Sequence, residues 1–373
     1  MKKAEGLPSL DEFTVYSTNV INVEQNKLIQ DLLLNEINKL KSNFRRKIET
    51  VNSIIDKIKD EVILIEIPEL EDISTVKISA VDGSNGLKSL VGLDIAVLTA
   101  ASVTINHPKK DSVFLIPNAK IMDLTNPDAD VEVSFHRTTL EFETAMKTIS
   151  EVAPNVLFMD GSLVPPSTLE PEMFQTELYH RLVGDKEQKQ AGLLAQLVID
   201  SKDNDVLLAG IVKRTRSTAY SEKFIDQSIL KAFRLHDAVI LDKILLEKQL
   251  ETGKYYMTEL IEVPAKRFFD NSYGIKRRDL LMFYIKPNNT APVIRVEIPK
   301  YVSSPKFMKL LLSVLFKMSS PADGTPLPIA LAHEYCTLTH ESLTALTWEL
   351  IFSAAEYGES ARMYVSHRRG DHD

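Results

Sequence analysis

The chain has 373 residues, 44% of them hydrophobic and 26% charged, with 13 glycines and 17 prolines, which supports a large core and excludes disordered and collagen-like chains. A formal net charge of −8 excludes bulk attraction to nucleic acid and leaves only a local basic groove for that purpose. A single cysteine, Cys336, excludes an internal disulfide and a Cys-rich zinc module, and points to a reducing, cytoplasmic setting.

Lys2-Lys3 is followed by Ala4-Glu5-Gly6-Leu7-Pro8 rather than the apolar stretch of a secretory signal. The longest apolar runs, 280–285 and 206–212, fall far short of the roughly 18 residues a membrane span needs. From 23 to 62, Leu33, Ile37, Leu40, Phe44, Ile48, Val51, Ile55, Ile58 and Val62 recur in steps of three and four, which predicts one long helix with an apolar seam. Residues 1–71 are therefore expected to form a helical arm for dimerisation or partner contact, ending near Pro68, and residues 72–373 the main domain.

The period then changes. Residues 76–81 read as a strand ending at Asp82-Gly83-Ser84, and 95–105 and 112–122 as two more, with Asn106-His107-Pro108 between them. An antiparallel meander follows from that order. A helix over 135–152 carries Phe142, Ala145, Met146, Ile149 and Val152 on one face, and the apolar run 155–159 leads into a second Asp-Gly-Ser at 160–162. Helices are expected over 170–201, 221–250, 303–318 and 328–356, and strands over 205–212, 280–285 and 293–298. Strands, then a helix, then a strand predict an α/β fold with a mixed sheet flanked by helices.

The repeated Asp-Gly-Ser carries the strongest chemical signal. One copy reads as a turn after a strand, but two strand ends presenting carboxylates suggest a shared site in the crevice beyond the sheet. Neighbouring carboxylates repel, and a hard divalent cation with oxygen ligands relieves that repulsion. Mg²⁺ or Mn²⁺ held this way, with phosphate completing the shell, is the arrangement of metal-assisted phosphodiester cleavage.

A third acid is expected from the intervening helix, where Arg137, Glu141 and Glu143 are candidates. At about 100° per residue, the apolar stripe is centred roughly 80° from Glu141 and about 120° from Glu143, so Glu141 faces the sheet margin more closely. His333-Glu334 and His340-Glu341 do not make a zinc-protease site, because residues seven apart are separated by about 10.5 Å of helix rise. A single one of these histidines remains able to complete a metal site or handle a proton. Lys213, at the end of strand 205–212, with Arg214 and Arg216 after it, is suited to phosphate. Ser84 and Ser162 lie outside any Gly-x-Ser-x-Gly motif.

These segments resemble, in order, the motifs of the NurA family. Ala80-Val81-Asp82-Gly83-Ser84 resembles its first motif, the helix with Arg137 and Glu141 its second, and Leu157-Phe158-Met159-Asp160-Gly161-Ser162-Leu163 its third. Gly210-Ile211-Val212-Lys213, Arg295-Val296-Glu297-Ile298-Pro299 and Pro328-Ile329-Ala330-Leu331-Ala332-His333 resemble its later segments. The resemblance implies an RNase H-like fold and an Mn²⁺-dependent (or Mg²⁺-dependent) DNA nuclease, both endonuclease and 5′–3′ exonuclease. It further implies a homodimer working in end resection beside a HerA-type hexameric helicase. It makes Asp82, Glu141, Asp160 and His333 the metal ligands, adds Lys213 to the catalytic set, and leaves Lys213, Arg214, Arg216 and Arg137 to contact DNA. Where relatives often carry an aromatic residue, this chain has Gly324-Thr325-Pro326, which motivates the alternative of a non-catalytic DNA clamp or helicase adaptor.

Overall fold

Alternating and continuous apolar runs in the middle of the chain assemble into one large sheet, as the computed structural model shows for residues 23–106, 113–124, 129–165 and 176–364. The turn at His107-Pro108, the first residues of the expected 170–201 helix and both chain ends lie outside the described residues. The chain divides into two units, Met1–Ile58 and Lys59–Asp373.

In the first unit, α1 (Val23–Ile58) is a 36-residue helix. Leu33, Ile37, Leu40 and Ile48 of its seam stand exposed, as does Ile29 before them, and Arg45 pairs with Glu49 one turn on.

The second unit contains, in chain order, β1 (Leu64–Glu66), β2 (Lys77–Ser89), β3 (Asp94–Asn106), β4 (Val113–Leu124), α2 (Ala129–Val152), β5 (Val156–Asp160), α3 (Glu177–Val183), β6 (Gly184–Asp185), β7 (Gln190–Ala191), α4 (Leu193–Asp203) and β8 (Leu207–Val212). It continues with α5 (Gln227–Phe233), α6 (Asp237–Thr252), β9 (Tyr256–Thr258), β10 (Ile261–Glu262), α7 (Lys266–Asn271), β11 (Leu280–Ile285), β12 (Ile294–Pro299), α8 (Pro305–Met318), α9 (Leu327–Cys336), α10 (His340–Ala355) and α11 (Glu359–Tyr364). The main sheet runs β1-β9-β11-β12-β8-β5-β2-β3-β4, with β10 against β11. Strands β2, β3 and β4 form the antiparallel meander, and β5 and β8 then lie parallel to β2. A meander followed by two parallel strands on the first strand's other side is the RNase H-like arrangement.

Strand β2 does not end at Asp82-Gly83-Ser84. It continues to Ser89, because β3 pairs with it from Lys77↔Asn106 to Ser89↔Asp94, while the parallel partner β5 stops at Val81↔Met159. Cross-strand hydrogen bonding overrides the turn preference of Gly, Ser and Asn here. Other expected elements are interrupted. The helix expected over 170–201 is split by the β6–β7 hairpin, and that over 221–250 breaks at Arg234, whose φ of 51° is left-handed. The last helix divides where Thr339 caps α10 by accepting from the Ser342 amide.

Alternation along the strands fixes two faces. Ile78 and Ala80 of β2, Val156 and Phe158 of β5, and Ala209 and Ile211 of β8 pack into one core with Leu311 and Leu315 of α8 and Ile329 and Ala332 of α9. Ala96, Leu98 and Ala100 of β3 pack on the opposite face against Val133 and Leu140 of α2. No helix among the described residues is long and apolar enough to cross a membrane.

Candidate active site

Strand parity brings three polar side chains to one place. Asp82 follows Ala80, Asp160 follows Phe158 and Lys213 follows Ile211, each two residues on and so on the same face, toward α9. Asp82 and Asp160 stand on adjacent parallel strands, and Lys213 just beyond the end of the third, where the parallel pairing ends. The Lys213 Nζ donates to Asp160 Oδ2 at 2.7 Å, and the Asp82 Oδ1 accepts from the Gly83 amide at 2.7 Å. From α9, His333 sets its Nδ1 2.7 Å from Asp82 Oδ2. The ring is 63% exposed and the Asp82 side chain only 8%, so the histidine forms the rim and the acid the floor.

Glu141 arrives from the other face. A Cβ on Gly83 would lie 2.4 Å from Glu141 Oε1, 2.7 Å from its Cγ and 3.0 Å from the Arg137 Cγ, so the side chains of α2 occupy the space that only glycine leaves. Arg137 Nε lies 3.4 Å from Glu141 Oε1, one turn along the helix. Gly83→Ala is expected to displace the flexible Glu141 and Arg137 side chains rather than break the sheet. Activity should then fall at least about tenfold with a melting temperature within a few degrees of wild type. A melting loss as severe as a core deletion, measured by calorimetry, would refute that account.

The electrostatics follow from this crowding. Burial, aided by the Asp82 and Asp160 charges, pushes the Glu141 carboxyl up to about 8 against the opposing Arg137 guanidinium. Burial and the Asp82 carboxylate also raise Asp160, opposed by its bond to Lys213. Three crowded acids with too little compensating charge, plus one imidazole, make an oxygen-rich donor set suited to a hard divalent cation. A cleft of about 600 Å³, lined by Asp160, Lys213, Arg214, Asp323 and His333, opens beside this cluster on its Asp160 and His333 side.

The segment after Asp160 is fixed by a residue that stands in the sequence only as one member of the segment Arg295–Pro299. Glu297 of β12 is fully buried, and its Oε2 accepts from Ser162 Oγ at 2.8 Å and from the Leu163 amide at 2.9 Å. Its Oε1 pairs with Arg295 Nη2 at 2.7 Å. The segment crosses Gly210, where a Cβ would lie 2.8 Å from the Gly161 carbonyl oxygen. Ser162 of the second Asp-Gly-Ser is thus a tether for the Asp160 loop. Glu297→Ala leaves Arg295 buried without its partner, and a stability loss of about 3–5 kcal/mol in urea unfolding is expected. Glu297→Gln, which keeps an acceptor for Ser162, is expected to lose distinctly less, and equal losses would contradict the clamp.

The structure therefore brings Asp82, Glu141, Asp160, Lys213 and His333 together, with Arg137 beside Glu141. Glu143 instead pairs with Arg181, and His340 begins α10. Arg214 and Arg216 are exposed beyond β8 and line a second cavity, described below. Thr325 is buried and holds Asp323 through its amide and hydroxyl, at 3.0 and 2.8 Å. Cys336, one turn beyond His333, was read only for redox setting; its sulfur lies within 4.8 Å of Asp82 and His333 ligand atoms. Its thiol is raised by burial and by the Asp82 charge. The His-x-x-Cys spacing on a helix was the available signal for it.

Comparison with known proteins places this geometry. The NurA domain model matches residues 76–337. The crystal structure of the NurA nuclease from Sulfolobus solfataricus is similar at 19% identity, covering 88% of this chain and 98% of that one, with a TM-score of 0.62. A NurA structure bound to dAMP and manganese matches at 13% identity over 92% of this chain and 99% of that one, with a TM-score of 0.49. Among curated proteins nothing matches. Because the family model spans most of the chain and contains every acid of the cluster together with His333, this chain belongs to the NurA family.

Proposed function

We propose that the chain is a metal-dependent DNA nuclease, cutting both internally and from ends in the 5′–3′ direction, with Asp82, Glu141, Asp160 and His333 holding Mn²⁺ or Mg²⁺. The observation that carries this reading is the convergence of three largely buried carboxylates and an imidazole at the edge of the parallel strands, beside a cleft with Lys213 and Arg214. Such an ion, when bound, supplies activation of water and polarisation of a phosphodiester oxygen. The remaining work falls to side chains. Asp160 keeps the Lys213 ammonium at the cleft, where it acts as a point charge on the scissile phosphate. Asp82 orients the His333 ring through Nδ1, which leaves Nε2 to take a ligand or a proton. Arg137, Arg214 and Arg216 contact phosphates of the DNA, a role their exposed or rim positions support.

In the same reading the arm, residues 1–71, pairs two copies of the chain or docks a HerA-type hexameric ATPase during end resection in the cytoplasm, and residues 72–373 carry the nuclease. The exposed apolar seam of α1 supports that role for the arm. The test is cleavage of end-labelled single- and double-stranded DNA with Mn²⁺, Mg²⁺ or EDTA, alone and with the ATPase. Metal-dependent cutting that disappears in Asp160→Ala is the expected result. Silence under every condition, with DNA and ATPase still bound, would make the chain a clamp or adaptor.

A further inference from the structure

We propose that a pocket beside the acid cluster receives a terminal phosphomonoester of the DNA strand. The inference rests on the nuclease reading for its substrate, and on separate residues for its chemistry.

The pocket, of about 370 Å³, lies beyond the end of β8 and shares Val212 and Arg214 with the cleft of the acids. Arg214, Arg216 and Arg295 line it. Among the described residues neither Arg214 nor Arg216 has a carboxylate partner, whereas Arg45, Arg137, Arg181 and Arg277 each have one. Arg295 is 12% exposed, paired with Glu297 and bonded from Nη1 to Thr215 Oγ1 at 3.2 Å, and its Nε is buried without a hydrogen-bond partner. Three guanidiniums and one carboxylate leave the pocket with a formal charge of about +2. A phosphomonoester near neutral pH carries nearly two negative charges, and an internal diester one. The charge therefore matches a strand end better than a passing backbone.

The rest of the lining agrees with that choice. Val164, Pro165, Val263 and Pro264 make an apolar wall, which suits the sugar and base face of one nucleotide and offers nothing to a second phosphate. The neighbouring cleft is lined by Asp160 and Asp323 as well as by Lys213 and Arg214, so its lining carries no net positive charge to compete with the pocket. A terminal phosphate is thus drawn to the guanidiniums of the pocket rather than to the acids. The pocket would seat an end while the adjoining phosphodiester lies over the acids.

The experiment uses the full chain and three fluorescent oligonucleotides of one sequence, carrying a 5′-phosphate, a 3′-phosphate or hydroxyls at both ends. Binding is read by anisotropy in EDTA, so that no cutting is needed. One of the phosphorylated ends is expected to bind about tenfold tighter than the hydroxyl form, and 10 mM-scale inorganic phosphate to erase the difference, consistent with charge-assisted guanidinium contacts. Arg216→Ala, an exposed position, is expected to erase it too, and Arg216→Lys to restore part of it. Equal binding of all three oligonucleotides, or a preference untouched by Arg216→Ala, overturns the proposal. Cleavage of circular single-stranded DNA with Mn²⁺ is scored separately. Circle cutting with no end preference sinks the pocket and leaves the nuclease reading intact; end preference without any cutting does the reverse.

Discussion

Asp82→Asn and Asp160→Asn proteins are expected to lose metal-dependent DNA cleavage by roughly a thousandfold or more, while melting no lower than wild type when metal is absent. A thousandfold is about 4 kcal/mol of transition-state stabilisation, the scale at which a lost Lewis-acid anchor or preorganised charge acts. The stability half of the expectation comes from crowding. Burial and the Asp82 charge raise the Asp160 carboxyl, so a charged Asp160 beside Asp82 costs the metal-free fold free energy that a neutral amide at either position removes. The amide keeps the hydrogen bonds made inside the sheet: an oxygen at position 82 still accepts from the Gly83 amide, and one at position 160 still accepts from Lys213, while the contact of position 82 with the exposed His333 ring changes. Function and stability oppose each other at these two positions. The check is a pair of measurements on the same preparations, initial rates with Mn²⁺ and calorimetric melting in EDTA. Retained cleavage removes both acids from the mechanism, and a melting point many degrees lower shows that they stabilise the empty fold.

Metal-free protein is expected to lose stability steadily as pH rises from about 4.5 to about 8, and the stabilisation by added Mn²⁺ to grow over the same window. Glu141 has an ordinary carboxyl value of 4.5 in the unfolded chain and about 8 in the fold. Between these the folded state keeps a proton that the unfolded chain has released, so raising the pH favours unfolding, and the penalty is complete above about 8. At 1.36 kcal/mol per unit the shift corresponds to an effect on the order of 5 kcal/mol. Asp160, raised by the same burial, adds in the same direction. A cation at these oxygens must displace the Glu141 proton, so its affinity climbs with pH until that proton is gone. Melting between pH 5 and 8.5, with and without Mn²⁺, reads both slopes. Glu141→Gln is expected to flatten the metal-free curve, and a wild-type curve already flat across that range would show that Glu141 titrates normally.

Much of this arrangement was legible locally. Period-two apolar runs gave the meander and the parallel strands, and the two Asp-Gly-Ser copies marked the ends of the parallel ladder even though β2 itself runs on to Ser89. The angular offset between Glu141 and Glu143 along one helix was enough to separate the acid beside Gly83 from the one paired with Arg181. What escaped was non-local. Nothing near Ser89 announces that β3 will pair with β2 past the glycines, and nothing near Arg234 announces a left-handed break. The short strands β1, β9 and β10 carry two or three residues each, too few for a period. Glu297 carries no local signal of its role: it is fully buried on a central strand paired along both edges by β8 and β11, where a charge requires a partner. His333 lies 251 residues beyond Asp82, a separation that spacing arguments do not reach and that only the family resemblance bridged.

That separation also sets when the site exists during synthesis. At about 5–20 residues per second, the 251 residues between Asp82 and His333 take roughly 13–50 s to emerge from a ribosome. Within that interval a nascent chain acquires its meander and all three of its acids, but α9, which carries the imidazole and closes the face over Asp82, has yet to be made. A chain that stalls or is clipped before α9 therefore keeps its sheet strands and lacks the finished site. The order in which the elements are written along the gene thus withholds the imidazole, and with it the finished cluster, until every strand of the main sheet has been made.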